Sequence, residues 1–92
     1  NDEKSRLRLG QLYIENEQWN KAAGVLNIEL ETEDITLISK INLLLGIAQF
    51  NTENLPEAKH SFTQALSDKT TKEQAEWWLD HIKRKTETNK SG

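Results

Sequence analysis

The sequence predicts an all-α chain, on three observations. Apolar residues recur at three- and four-residue spacing along most of its length, and strand-like alternation of β-branched residues is missing. One proline, Pro56, and four glycines leave long stretches free to wind into helix. Short polar runs break the apolar series at regular intervals, which divides the chain into five amphipathic helices.

Leu7, Leu9, Leu12, Tyr13 and Ile14 define the first helix, which gives out in the polar run Glu15 to Gln18. Trp19, Ala22, Ala23, Val25, Leu26 and Leu30 restart the stripe, so a second helix is expected from about Trp19 to Leu30. The turn between them is so short that the two must lie antiparallel. Glu31, Thr32, Glu33 and Asp34 precede the next apolar run and read as a helix N-terminus, where a side-chain oxygen accepts from free amides and negative charge meets the positive end of the helix dipole. A calcium loop would need a glycine and alternating ligands that are not there. The third helix, about Thr36 to Asn51, is apolar on more than one face and should be central. After Asn51 to Asn54, Pro56 starts a fourth helix with Leu55, Ala58, Phe62, Ala65 and Leu66 on one side. Ala75, Trp78, Leu79 and Ile82 mark a fifth, from about Lys72 to Lys85, with Trp78 expected inside. The polar residues 86–92 read as a flexible tail.

Ninety-two residues make one domain, or a piece of a longer chain. No apolar run approaches the roughly 18 residues a membrane-spanning helix needs, so direct membrane insertion is not expected. The opening NDEKSRLRLG is no signal peptide, although a mature or trimmed product would lack one. Without cysteine the chain has no disulfide, thiolate metal site or thiol nucleophile. A net charge of −3 argues against nucleic acid as a partner. The one basic cluster, Lys83 to Lys85, reads as cations near a helix C-terminus.

Chemistry finds little to work with. His60 and His81 are the only histidines, too few for a zinc or catalytic set. His60 and Ser61 are neighbours on a helix and point apart. No carboxylate pair sits in an apolar setting, and the glycines form no phosphate loop. Neither enzyme activity, a metal nor a cofactor is expected. Asn89-Lys90-Ser91 fits a glycosylation pattern, read as a chance match in a tail.

The pattern repeats. Leu9-Gly10 matches Leu45-Gly46, Trp19 matches Leu55, Ala22 matches Ala58, and Leu26 matches Phe62, all at one offset of 36 residues. A glycine in one helix and an alanine in the next let two backbones approach, and the large residue four positions on fills the space beside them. The chain is thus two helix-turn-helix repeats, about residues 4–30 and 36–67, with a capping helix at about 72–85. This resembles the tetratricopeptide repeat (TPR), whose period is about 34 residues. Leu45-Gly46 with Ala58, Phe62 and Ala65 carries the likeness in repeat 2, and Leu9-Gly10, Tyr13 and Ala22 in repeat 1. Departures are Leu26 for the aromatic, Glu29 for the last small residue, the longer spacing and the lack of a closing proline. Repeat 2 with Ser67 to Lys83 is also similar, more weakly, to the C-terminal end of TPR proteins associated with bacterial TonB-type transport systems.

The resemblance implies a right-handed superhelical stack and a non-catalytic module that binds a peptide or partner helix in a concave groove lined by the first helix of each repeat. The matching positions are Lys4, Leu7, Gln11, Ile14 and Glu15, then Lys40, Leu43, Ile47, Phe50 and Asn51. Leu43, Ile47 and Phe50 either receive a partner or pack against the fifth helix. The basic clamp of chaperone-binding relatives is not evident, since glutamate and glutamine stand among Lys4 and Lys40, so an acidic C-terminus is disfavoured. Trp77 is either the edge of the buried stripe or an exposed contact, and self-association through Trp77 and the apolar stripe is the alternative role. Only the transport-associated likeness implies a compartment, the periplasm.

Overall fold

The computed structural model describes residues 2–91, with side chains through Glu87. Among the described residues are five α-helices and no strand: α1 (Glu3–Glu15), α2 (Trp19–Leu26), α3 (Ile35–Asn51), α4 (Leu55–Gln64) and α5 (Lys69–Ser91), with a 3₁₀ turn (Ala65–Ser67) between the last two. The all-α expectation holds. None of these helices is long and apolar enough to cross a membrane.

Caps set three of the starts. The Asp2 carboxylate accepts from the Lys4 amide at 3.0 Å and from Ser5 Oγ at 3.2 Å. Asp34 accepts from the amides of Thr36 and Leu37 at 3.1 and 3.2 Å, the role read from the acidic run before Ile35. Asp68 takes the Thr70 amide at 3.0 Å, the Thr70 hydroxyl, and the Thr36 hydroxyl at 3.0 Å, which ties the start of α5 to the start of α3. Pro56 stands in the first turn of α4, where its missing N–H leaves nothing unsatisfied.

The 36-residue offset reappears as geometry. A Cβ added at Gly10 would lie 2.6 Å from the Leu26 side chain, and one at Gly46 would lie 2.6 Å from the Phe62 ring. Each glycine is therefore the floor on which the large residue of the next helix rests. Ala22 and Ala58 are fully buried beside them. The turns match as well: Gln18 N–H donates to the Tyr13 carbonyl and Asn54 N–H to the Gln49 carbonyl, both at 2.8 Å. Between them Glu17 and Glu53 take left-handed backbone, φ 57° and 62°. That is a helix C-terminal motif that glycine usually fills.

Central position falls to α3. Its Leu37, Ile41, Leu45 and Ala48 meet Ala22 and Leu26 of α2 in one core. From its other side Leu43 joins Ala58, Phe62, Ala65, Ala75 and Ile82 in a second. Inside, Ser61 Oγ donates to Gln49 Oε1 at 2.7 Å, and Thr71 Oγ1 to the Ala65 carbonyl at 2.7 Å.

Three boundaries differ from expectation. Helix α2 stops at Leu26, not Leu30, and the chain runs extended to Asp34. Ile28, Leu30 and Thr32 are half-buried while Glu29, Glu31 and Glu33 are exposed, so a two-residue period overrides the helical one. The Glu3 carboxylate secures this segment, accepting from the Glu31 amide at 2.7 Å and the Thr32 amide at 3.4 Å. Next, α5 spans Lys69–Ser91 rather than 72–85, because Asp68 caps it early and no glycine or proline interrupts it. The expected tail is thus helical to Ser91, and Gly92 and the side chains of the Asn89-Lys90-Ser91 pattern lie outside the described residues. The cluster Lys83 to Lys85 consequently sits inside α5 instead of in its last turn: Arg84 pairs with Asp80, and Lys85 Nζ lies 5.2 Å from the Phe50 ring. Finally, α4 closes in a 3₁₀ turn that carries Ala65 and Leu66.

Candidate functional site

One side of the molecule is built by α1, α3 and the beginning of α5. Two depressions lie there. The first, about 340 Å³, is lined by Lys4, Leu7, Arg8, Gln11, Asp34, Thr36, Leu37 and Lys40. The second, about 310 Å³, continues from Leu7, Gln11 and Lys40 to Leu43, Leu44, Thr70, Thr71 and Gln74. Three shared side chains make them a single trough.

The trough has cationic rims and a neutral floor. Lys4, Arg8 and Lys40 are exposed, and Leu7 and Leu44 are half-buried beneath them. The two nearby carboxylates serve the backbone. Asp34 holds the first amides of α3. Hydrogen bonds from the Thr70 hydroxyl and amide hold the Asp68 carboxyl below the usual carboxylate range, with smaller contributions from Thr36 and the Lys40 charge. Cations thus face outward while acids face the helix ends.

Of the ten groove positions expected from the sequence, Lys4, Leu7, Gln11 and Lys40 come together here, with Leu43 at the base. Leu43 is only 7% exposed, so it is core and not a contact residue. Ile47 and Phe50 are half-buried against the second core, covered by α5. Ile14 packs against the first core. Glu15 is exposed at the end of α1, and Asn51 lines a separate depression with Glu17, Gln18, Trp19 and Lys21. Sequence reasoning missed Arg8, although it follows Lys4 by one helical turn. It also missed Thr70, Thr71 and Gln74, whose place depends on where α5 lands.

Beyond the trough, α5 builds an aromatic cluster on α3. Trp78 stacks on Phe62 with centroids 5.4 Å apart and meets Phe50 edge-on at 5.2 Å. It is half-buried, where burial was expected, and meets the exposed Trp77 and His81 rings edge-on. Trp77 is 59% exposed and lies parallel to the His81 ring at 5.1 Å, on the solvent side of the cluster rather than at a buried stripe edge. Among the described residues no three histidine, aspartate or glutamate side chains group as metal ligands. His60 is exposed while Ser61 is buried on Gln49, so the two do not form a catalytic pair.

The fold and this surface define an all-α domain with internally repeated helical hairpins. Comparisons with family models, with curated proteins and with solved structures found no match.

Proposed function

We propose that the chain is a non-catalytic protein-interaction module of TPR-like build, a right-handed stack of two hairpins and a capping helix, whose trough receives a peptide or partner helix. The trough itself carries the reading: first helices of both repeats and the capping helix converge on two adjoining depressions with a neutral floor of leucine, threonine and glutamine side chains. Its three cations, Lys4, Arg8 and Lys40, stand on a chain of net charge −3. They favour a segment with internal carboxylates flanking an apolar residue. The weaker likeness to transport-associated repeat proteins extends this proposal to a periplasmic setting.

The test is to select peptides from a random display library on the immobilised domain and titrate them against wild type and a folded Lys4→Glu, Lys40→Glu variant. Binding weakened at least tenfold by the variant supports the trough. Equal affinity for both proteins rules it out. A second reading, self-association through Trp77, draws on the exposure of that ring. Trp77→Ala would then abolish a dimer without touching peptide affinity.

A further inference from the structure

The outer face of α1 has a property of its own, and of the residues involved only Arg8 also lines the trough. Ser5, Leu9, Leu12 and Asn16 follow one another at spacings of four, three and four, which aligns them in one seam. All four are exposed, Leu9 at 39% and Leu12 at 52%. The 36-residue offset says what such a seam is for. Leu9 corresponds to Leu45 and Leu12 to Ala48, and in α3 those positions are buried against α2. The same surface on α1 is therefore shaped to receive a helix, and among the described residues none covers it.

Charge identifies the occupant. Arg8 and Glu15 are exposed on the same flank of the seam, seven residues apart, and neither has an ion-pair partner among the described residues. Glu15 closes α1 at its C-terminal end, where the helix dipole disfavours an acid. An antiparallel copy resolves both problems. With the dyad between Gly10 and Gln11, Leu9 opposes Leu12 of the second chain, Ser5 opposes Asn16, and Arg8 on each chain reaches Glu15 on the other. The two helix dipoles also run in opposite directions.

We infer that α1 pairs antiparallel with α1 of a second copy of this chain, forming an isologous dimer with a Leu9/Leu12 seam and two Arg8–Glu15 contacts. Two leucine layers make a small interface, so the association is weak and concentration-dependent. It leaves Trp77 free and is distinct from self-association through that ring.

Sedimentation equilibrium tests it, with circular dichroism confirming that each variant is folded. Wild type should show a mass rising from one chain toward two with concentration, and Leu12→Lys should stay at one. Arg8→Glu and Glu15→Arg should each be monomeric alone, since every contact then joins like charges. Mixed together they should form a heterodimer, because both contacts become attractive, and the double swap should restore self-association. A wild type that stays monomeric up to millimolar concentration overturns the proposal. So does a dimer that survives Leu12→Lys, or single-swap chains that fail to associate on mixing.

Discussion

At the scale of single residues, the fold rests on where a side chain is missing. Gly46 has the Phe62 ring where a Cβ would go, so Gly46→Ala should force repacking and lower stability by about 1–3 kcal/mol. Gly24, exposed in α2 with open space around it, should behave oppositely: Gly24→Ala should raise stability by about 1 kcal/mol, since alanine is the better helix former. Urea midpoints of the two variants moving in opposite directions would verify the contrast. Ser39 offers a third case, a fully buried hydroxyl without a hydrogen-bond partner among the described residues. Ser39→Ala removes that unsatisfied group and should gain about 1 kcal/mol. The glycine pair was legible from sequence because its spacing repeats. Ser39 was not, since a hydroxyl's satisfaction depends on neighbours that only packing assigns.

Among elements, the strongest local signals survived and the weakest were overridden. Asp34 and Pro56 announced α3 and α4 within a residue, because caps act on adjacent backbone. The end of α2 was misread because Leu30 fits both periods, and the decision comes from Glu3, far away in sequence, holding the Glu31 and Thr32 amides. Glu3→Ala should speed amide exchange at Glu31 and cost about 1 kcal/mol, with α2 itself unchanged. The contact between α3 and α5 predicts a pH dependence. Asp68 is held below its ordinary pKa, so its stabilisation is complete above the usual carboxylate range and is lost as pH falls through the folded value. Asp68→Asn should therefore be less stable at neutral pH and should lose less stability than wild type below about pH 4. Acid titrations of both proteins by circular dichroism measure that difference.

For the whole molecule, the groove positions that the resemblance implied include residues of α1 and α3 that line the trough, and none of α5. Lys4, Leu7, Gln11 and Lys40 stand at first-helix positions that the TPR resemblance implies for a groove, which is why they could be named in advance. What periodicity could not supply was the landing place of α5. Its start closes the trough with Thr70, Thr71 and Gln74, and its middle covers Ile47 and Phe50. Of the apolar stripe Leu43, Ile47 and Phe50, Leu43 stands at the base of the trough, and Ile47 and Phe50 pack against the second core. The most direct measurement is an amide NMR map of the domain titrated with a peptide selected from a random library. Binding in the trough predicts shifts concentrated at Lys4, Leu7, Gln11, Lys40 and Gln74, lost together in the Lys4→Glu, Lys40→Glu variant. Shifts confined to Trp77, His81 and Lys85, with that variant binding as well as wild type, would contradict the account.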